Sequence, residues 1–371
     1  MMVLPARLTP SQTSRRGARG ALGAIVVLAV LLSAASCGGG SSLSPGEVGD
    51  GGPDVPTYVV WQETVATGYD SGYWRIHCLD LDNGEECELA GSDDVYVHGP
   101  AVSGQTVVWE DRRESDRVFA RDLTSGKEGP VSDHSGRNPL ISGDWVVWGQ
   151  GGEILGEPRD LIVARSMTSG IERTVSLPRT AMPLDCSVSG DWLVWSRNRG
   201  FDEQWHDLNE IWGMRLSTGE RSLLRPKGRY MSPAVEGEWV LWRRTDSVRG
   251  DAWADNVRVE AFNLRTYKVR LLPKGATTVS DDGRVLIKTG GRAAFWAGRT
   301  GLRVYDVMSQ RSTPVPGAVG SITWAAIHDD WVVWYEQQGS GAGGPLHAVN
   351  LVSGETVAVA ADASFPGISR D

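Results

Sequence analysis

The chain has 371 residues, of which 40% are hydrophobic, so it is long enough to bury the core of one large domain or two ordinary ones. Its formal net charge is −9, although the first 36 residues hold four arginines and no acid (+4), which leaves −13 on the remainder. A body this acidic repels phosphate backbones, so the composition argues against a nucleic acid partner.

The N-terminal residues are predicted to be an export signal. The stretch RRGARGALGAIVVLAVLLSAASC at 15–37 has a basic segment, an apolar run from Ala21 to about Leu32, and then small residues. The run is too short for a comfortable transmembrane helix and ends in a cleavage-type sequence. We therefore predict a signal peptide at residues 1–36.

The residues LLSAASC, which end at Cys37, resemble a bacterial lipobox. The resemblance implies that Cys37 is acylated and becomes the N-terminus of a mature lipoprotein, anchored on the extracytoplasmic side of the cell membrane. An ordinary signal peptide with an incidental cysteine is the alternative. Arg15–Arg16 also resembles a twin-arginine signal, but the hydrophobic residues expected after the pair are missing, so the export route stays open.

The next segment is predicted to be a tether. GGGSSLSPGEVGDGGPD at 38–54 has almost nothing to bury and a composition that keeps a chain flexible. With Cys37 it forms the predicted segment 37–54, which would let the body stand about 20–25 Å from the bilayer. The folded body is therefore predicted to begin at residue 55.

From Tyr58 onward one phrase recurs. It reads PAVSGQTVVW at 100–109, PLISGDWVVW at 139–148 and PAVEGEWVLW at 233–242, with looser copies at 56–61, 186–195, 278–288 and 325–334. The last strand residue of each copy serves as an anchor, and the seven anchors are Trp61, Trp109, Trp148, Trp195, Trp242, about Ile287, and Trp334. Units of 39 to 48 residues between such anchors are typical of a β-propeller.

Each unit is predicted to contain four antiparallel strands, A to D. The phrase itself provides strand A, a tight turn and strand B, and a segment such as RVFARDLTSGKEGPVS at 117–132 provides strand C, a turn and strand D. In WVVW at 145–148 successive side chains point to opposite faces, and both faces are apolar. Blades packed face to face bury both sides, so the tryptophans are interpreted as packing residues.

The repeat, with SGD-x-VVW followed by DLTSGK, resembles that of the TolB-type propellers of bacterial envelopes. The resemblance covers roughly residues 55–371 and implies the fold, whereas it says little about activity. The final residues PGISRD at 366–371 align with PLISGD at 139–144, as a strand A without a strand B. We therefore predict an all-β, seven-bladed propeller that is closed by the C-terminal strand completing blade one.

The sequence contains no motif for a catalytic centre, and we predict no cofactor and no metal site. There is no G-x-S-x-G, H-E-x-x-H or Walker-type loop, and the six histidines are scattered. Asp80 to Glu85, DLDNGE, has oxygen ligands at alternate positions, as calcium loops do. Because it aligns with DLTSGK of the next unit, a hairpin turn is the favoured interpretation.

Cys78 and Cys87 flank that turn on the two outer strands of blade one. An oxidising compartment favours a disulfide between them. A two-residue turn at Asn83–Gly84, however, would pair position 80 with Cys87 and leave the cysteines diagonal, so both states stay open. Cys186 would then be a buried single thiol.

The B–C connections vary most among the units, and long loops are where functional residues concentrate. They occupy 63–74, 149–160, 197–210 and 243–256 and are predicted to share one face of the propeller. That face would carry the candidate ligand or partner residues Tyr69, Trp74, Asp202, Trp205, His206, Arg244, Asp251 and Trp253.

Three functions fit these observations. The leading hypothesis is a monomeric, non-enzymatic lipoprotein that binds an envelope protein or polymer through this face. The alternative is a hydrolase or lyase acting on glycans at the channel mouth, which would need converging acids. A third hypothesis is a propeller that forms part of a larger envelope complex.

Overall fold

The computed structural model describes residues 56–66, 72–91, 96–113, 116–154, 157–178, 185–203, 207–245, 257–272, 286–288, 292–296, 302–307, 309–318, 322–328, 330–336 and 344–369. All the regular elements in these ranges are β-strands. The described residues contain no apolar helix of membrane-spanning length. The predicted all-β fold is therefore confirmed, whereas the predicted signal peptide and tether lie outside the described residues.

Five of the sheets are four-stranded and antiparallel, with their strands in chain order. The first two comprise β4 (Val97–Ser103), β5 (Thr106–Asp111), β6 (Arg117–Asp122) and β7 (Glu128–Pro130), and then β8 (Arg137–Ser142), β9 (Trp145–Ile154), β10 (Glu157–Ser166) and β11 (Glu172–Pro178). The third comprises β12 (Cys186–Ser189), β13 (Trp192–Phe201), β14 (Asp207–Arg215) and β15 (Arg221–Gly228).

The fourth sheet comprises β16 (Tyr230–Glu236), β17 (Trp239–Thr245), β18 (Val257–Asn263) and β19 (Val269–Leu271). The fifth comprises β20 (Leu286–Lys288), β21 (Arg292–Trp296), β22 (Leu302–Asp306) and β23 (Arg311–Pro314). In each of these sheets the four strands are strands A to D of the predicted repeat.

The remaining strands form one seven-stranded sheet that joins the two ends of the folded body. Its order is β24-β25-β26-β27-β1-β2-β3. The strands are β24 (Ile322–His328), β25 (Trp331–Glu336), β26 (Gly344–Asn350), β27 (Thr356–Ser369), β1 (Tyr58–Ala66), β2 (Gly72–Asp80) and β3 (Glu86–Ala90). The first part of β27 pairs with β26 through Ala363, and its last part pairs with β1, where Tyr58 lies opposite Ser369.

The interpretation of the tryptophans as packing residues is confirmed. On β9, Val146 and Trp148 pack into a cluster with Val108 of the β4–β7 sheet. Val147 packs on the other face, in a cluster with Leu193 and Trp195 of the β12–β15 sheet. Both faces of the strand are therefore buried between neighbouring sheets, as the repeated apolar residues predict.

The Ser-Gly-Asp corner of the repeat ties neighbouring sheets together. The backbone N–H of a corner glycine donates to the serine Oγ of the preceding sheet, at Gly143–Ser103 (2.7 Å), Gly190–Ser142 (2.9 Å) and Gly237–Ser189 (3.1 Å). Gly190 has a φ of 50°, which favours glycine. The corner aspartate caps the C–D turn of its own sheet, as when the Ser217 N–H donates to Asp191 (2.6 Å).

Cys78 and Cys87 form a disulfide, with their Cα atoms 5.1 Å apart. Of the two possibilities left open by the sequence, the longer turn is the one that forms, because Cys78 lies directly opposite Cys87 and Leu79 opposite Glu86. The Asp80 N–H donates to the Glu85 carbonyl (3.0 Å), and Gly84, at φ 76°, completes a longer turn. That turn moves the register by two residues and brings the cysteines together.

The sixth anchor, placed near Ile287, is wrong. Leu286–Lys288 is strand A of its sheet and pairs with β21, the strand B. The residue equivalent to the anchor tryptophans is Phe295, which lies opposite Arg303 on strand C. The A-turn-B phrase of this sheet is therefore LIKTGGRAAF, which keeps the corner glycine but has Gly291 and Phe295 where PLISGDWVVW has aspartate and tryptophan.

Candidate functional site

The sheets have two chemically different ends. At the turn end, the A–B and C–D turns are short and lie side by side, as shown by the Met167 N–H donating to the Asp144 carbonyl (2.8 Å). The serine–glycine bonds between neighbouring A–B turns place these corners at one common end for the sheets from β4 to β19. The B–C connections leave from the opposite end, which we call the hairpin end.

Three of the predicted B–C loops at the hairpin end are largely paired strands. Pairing of β1 with β2 continues to Ala66 opposite Gly72. Pairing of β9 with β10 continues to Ile154 opposite Glu157, and pairing of β13 with β14 continues to Phe201 opposite Asp207. In the β4–β7 sheet the same pairing stops at Asp111 opposite Arg117. Ile154 lies four residues further past its anchor than Asp111 does, which extends the hairpin by about 13 Å. The hairpin end therefore carries preformed β-structure where the sequence predicted loops.

Trp74 lies near the start of β2, at the hairpin end, and belongs to an aromatic cluster. Its ring meets that of Tyr96 edge to face, with centroids 4.1 Å apart. The Arg112 guanidinium lies 3.9 Å from the centroid of the Tyr96 ring. The His98 ring is nearly parallel to the Tyr96 ring, with the two centroids 6.0 Å apart. Trp74 is therefore held by packing between β2 and the strand that follows β3.

The charged residues beside this cluster pair with one another. Arg112 bonds the buried carboxylate of Glu110 (3.3 Å) and the carboxylate of Asp116 (2.9 Å). His98 lies opposite Glu110 on the ladder. Burial lowers the pKa of His98, and Arg112 lowers it further while Glu110 acts against both. The imidazole is therefore held toward its neutral form.

Asp202 follows β13 and forms an ion pair with Arg229, which precedes β16. The Asp202 Oδ2 accepts from the Arg229 guanidinium at 2.6 Å, and both side chains are mostly buried. The contact connects the β12–β15 sheet with the chain entering the β16–β19 sheet. Asp202 thus fixes the geometry of this seam.

Arg244 lies near the end of β17 and shares a buried carboxylate with an arginine of the preceding sheet. Its Nη1 is 2.8 Å from Glu260 Oε1, and Arg225 Nη2 is 3.1 Å from Glu260 Oε2. The Trp242 indole N–H donates to Glu260 Oε2 at 3.0 Å. Since Glu260 is 3% exposed, its charge is balanced inside the protein by these donors.

Three of the predicted site residues lie within the described residues. Asp202 and Arg244 border one seam between two sheets, whereas Trp74 lies elsewhere. Tyr230, next to Arg229, lies opposite Arg244, so Asp202 and Arg244 border the same seam between β13–β15 and β16–β18. Trp74 belongs to a different sheet. Five predicted residues lie outside the described residues: Tyr69, Trp205, His206, Asp251 and Trp253.

Glu260 is not among the site residues predicted from the sequence, although its position in the repeat distinguishes it. The residue opposite each anchor tryptophan is Phe119 in the second unit and Trp212 in the fourth, and both stack on their anchors. In the fifth unit Glu260 takes this position opposite Trp242. Four of the other units place an aromatic ring at this position, so a carboxylate there marks a local change in chemistry.

The Asp80–Glu85 segment is a hairpin turn that uses its own oxygens, as the favoured interpretation had it. Asp80 Oδ1 accepts the Asp82 N–H (2.9 Å), and Asn83 Oδ1 accepts the Glu85 N–H (2.7 Å). Asp82 Oδ2 accepts the Thr57 N–H (2.9 Å). Within the described ranges, no three His, Cys, Asp or Glu side chains are grouped so that they could hold a metal ion.

A cavity of about 360 Å³ lies apart from these residues, between β19 and β22. Its walls include Leu272, Tyr305 and Gln310, and the Arg270 guanidinium beside it donates to the Val307 carbonyl (3.3 Å). Gln310 belongs to a C–D turn, so part of the cavity wall comes from the turn end. None of the predicted site residues lines it.

No protein-family model matches this chain, and no curated protein matches it. Among solved structures, it is similar to the β-propeller domain of the Trilobed protease from Pyrococcus furiosus, with TM-score 0.60 and 14% identity over 82% of this chain and 92% of that one. An acylaminoacyl peptidase from Pyrococcus horikoshii gives TM-score 0.60 and 13% identity over 82% of this chain and 50% of that one. TolB from Acinetobacter baumannii gives TM-score 0.47 and 13% identity, over 86% and 68%.

The two similarities with TM-score 0.60 agree with the sheet architecture and define the class of fold. The chain is a β-propeller built from four-stranded antiparallel units. At such low identity the likeness concerns the fold alone, because propellers of this kind serve many functions.

Proposed function

We propose that this chain is a monomeric, lipid-anchored, extracytoplasmic seven-bladed propeller that binds an envelope protein or polymer through its hairpin end. The membrane anchor is inferred from the export and lipobox residues of the sequence, and the ring and the binding surface are inferred from the architecture of the described body.

The seven-bladed ring is supported by the way the sheets contact one another. Counting the end of β27 with β1–β3 as one blade gives seven four-stranded units. Apolar clusters connect successive units, and one of them joins Val333 and Leu346 of the last unit to Val59 and Leu79 of the first. In this interpretation β27 serves as strand D of the last blade and strand A of the first.

The membrane anchor is supported by the sequence at 15–37, where the lipobox-like residues end at Cys37. A single acyl chain gives only reversible membrane binding, whereas two or three chains hold a protein stably. The disulfide between Cys78 and Cys87 suits an oxidising compartment outside the cytoplasm.

The observation that carries the binding function is the ordered β-structure of the hairpin end. Paired strands hold their side chains in fixed positions, so a partner meets a preorganised surface and less conformational entropy is lost on binding. Phe201, at the end of β13, is 56% exposed there. The turn end, in contrast, consists of short turns whose polar groups bond one another.

The described carboxylates of the hairpin end are engaged within the protein. Glu260 and Asp202 bond arginines, Asp207 accepts from the Asn198 amide (2.6 Å), and Glu210 accepts from the Trp212 indole (2.9 Å). These contacts are what a rigid recognition surface requires. No observation favours the glycan hydrolase or lyase over binding.

The direct experiment is capture of partners on intact cells with a shortened hairpin. Joining Arg197 to Glu210, which lie opposite each other on the ladder, through an Asn-Gly turn removes the projecting part of β13–β14. We expect the wild-type protein to retain a reproducible partner that this variant loses. Because the deletion also removes Asp202 and its ion pair with Arg229, the variant should melt at a lower temperature but with one cooperative transition. Equal capture by both proteins would refute binding through this end.

A further inference from the structure

The turn between β2 and β3 differs from the other described C–D turns at one position. In all seven, the N–H of the fifth turn residue donates to the carbonyl of the first, as Gly84 does to Asp80 (2.8 Å). The first unit has Asn83 at the fourth position, directly before Gly84, and the chain contains no other Asn-Gly pair. The other six turns have a serine or a threonine there: Ser125, Ser169, Thr218, Thr266, Ser309 and Ser353.

The Asn83 side chain makes a contact that a hydroxyl group makes in other units. Its Oδ1 accepts the N–H of Glu85 at 2.7 Å, and Ser125 Oγ accepts the equivalent N–H of Lys127 at 3.3 Å. The conformation of the turn therefore does not require an amide. What asparagine adds is reactivity, because its side-chain amide is chemically labile.

The reaction open to an Asn-Gly pair is deamidation. The Gly84 nitrogen bonds to the Asn83 Cγ, the side-chain nitrogen leaves as ammonia with the Gly84 proton, and a succinimide ring remains. Water then opens the ring at either carbonyl, which gives aspartate or isoaspartate. Glycine hinders ring closure least because it has no Cβ. Both residues are exposed, and no atom lies within 4 Å of the place where a Cβ on Gly84 would be.

The folded turn holds this reaction back. The attacking Gly84 nitrogen must lose its proton, and that N–H is bonded to the Asp80 carbonyl. The disulfide between Cys78 and Cys87 joins the two strands on either side of the turn, so states in which the turn is open are disfavoured. Deamidation therefore requires a local opening of the turn.

We propose that Asn83 is a site of spontaneous deamidation whose rate is set by opening of the β2–β3 turn, which the Cys78–Cys87 disulfide restrains. The only co-reactant is water. The inference goes beyond the proposed binding function and does not depend on it.

The modification weakens the place where the two ends of the folded body meet. The turn bonds the residue before β1, since the Thr57 N–H donates to Asp82 Oδ2 at 2.9 Å. β1 then pairs with β27 from Tyr58 onward. An aspartate in place of Asn83 adds negative charge beside Asp82, and an isoaspartate inserts an extra carbon atom into the backbone. Both products should therefore loosen the hold of the turn on the start of β1.

The test uses the full mature protein in detergent, incubated at neutral pH below the melting transition of both its oxidised and its reduced form. Peptide mass spectrometry measures conversion of Asn83, because a carboxyl group in place of the amide changes the mass. We expect slow conversion in the oxidised protein and conversion at least about tenfold faster after reduction, when the turn opens more often. Asn83→Ser should show no conversion, and converted wild-type protein should melt at a lower temperature than this variant incubated alike.

A second comparison opens the turn while the disulfide stays intact. Asp82→Ala removes the bond to the Thr57 N–H and should speed conversion of Asn83 at least about threefold. Glu86→Ala is the matched control, because it removes an exposed acid from the neighbouring strand β3. Its conversion rate should stay within about twofold of the wild type.

Three results would overturn the proposal: no conversion of Asn83 in either redox state, equal rates before and after reduction, or conversion of Asn350, which precedes Leu351, as fast as that of Asn83. If reduction abolishes the melting transition, the two alanine variants decide the question. A rate for Asp82→Ala equal to that for Glu86→Ala would then refute control of the reaction by turn opening.

Discussion

At the scale of single residues, the residues of the repeated phrase pack between neighbouring sheets and form hydrogen bonds that connect them. Its tryptophans lie between neighbouring sheets, and the indole N–H groups of Trp109 and Trp242 donate to the buried carboxylates of Asp111 and Glu260, both at 3.0 Å. Its serine accepts from the next unit's glycine. Arginines of the outer strands add further links, such as Arg165 to the Val131 carbonyl (3.0 Å). The residues that recur among the copies of the phrase therefore have structural roles.

Removing one corner serine tests the contribution of these links. Ser189→Ala leaves the Gly237 N–H without its acceptor at a partly buried place, so we expect a loss of about 1–3 kcal/mol in the free energy of unfolding. Urea denaturation measures it. Ser176→Ala, at an exposed position of β11, is the control and should stay within about 0.5 kcal/mol of the wild type.

His98 gives the fold a pH dependence whose sign follows from its burial. Burial holds the pKa of His98 in the folded protein below the ordinary histidine value of about 6.5, so the unfolded chain binds the proton more readily. The native state is therefore fully favoured above that value and loses stability as the pH falls toward the folded pKa. His98→Gln should flatten the unfolding free energy between about pH 5 and 7, and equal slopes in both proteins would contradict this.

At the scale of elements, the A-turn-B phrase was predictable because its apolar alternation and its glycine corner are local signals. Phe295 was not identified as the sixth anchor because two apolar runs, VLIK and RAAF, lie close together in the sequence. Either of them fits the pattern of a strand B. The register of the β2–β3 ladder at Cys87 could not be predicted because it depends on the turn conformation at Gly84.

The candidate site was predictable only in part. Arg244 and Asp202 stood out as polar residues in long connections, whereas their partners Glu260 and Arg229 are distant in sequence and meet them only through sheet packing. The extension of β9 and β10 was also missed, because GQGGEILGEP has the glycines and polar residues of a loop.

The double role of β27 predicts a severe effect of a short truncation. Ending the chain at Ala363 keeps the pairing with β26 but removes the residues that lie opposite Tyr58, Val59 and Val60 on β1. The exposed edges of both strands should then cause aggregation or loss of a cooperative melting transition. Removing residues 1–54 instead should leave the transition intact. Normal melting of the truncated chain would contradict the shared-strand model.

At the scale of the whole molecule, the proposed function is an acidic propeller held at a membrane by one modified residue. If the lipobox interpretation holds and the Cys37 thiol is acylated, Cys37→Ala should move the protein from the membrane fraction to the soluble extracytoplasmic fraction. Fractionation with immunodetection measures this. Cys186→Ala is the control, since burial raises the pKa of that thiol to about 12 and keeps it unreactive. Continued anchoring of the Cys37 variant would refute the lipobox interpretation.

The central claim is that partners are bound at the hairpin end and not at the turn end. Site-specific photo-crosslinking on intact cells compares two exposed apolar positions, Phe201 at the hairpin end (56% exposed) and Met167 at the turn end (45% exposed). A benzophenone side chain at Phe201 should give a discrete crosslinked species, and the same group at Met167 should give none. Crosslinks from Met167 alone, or equal crosslinks from both positions, would contradict the account.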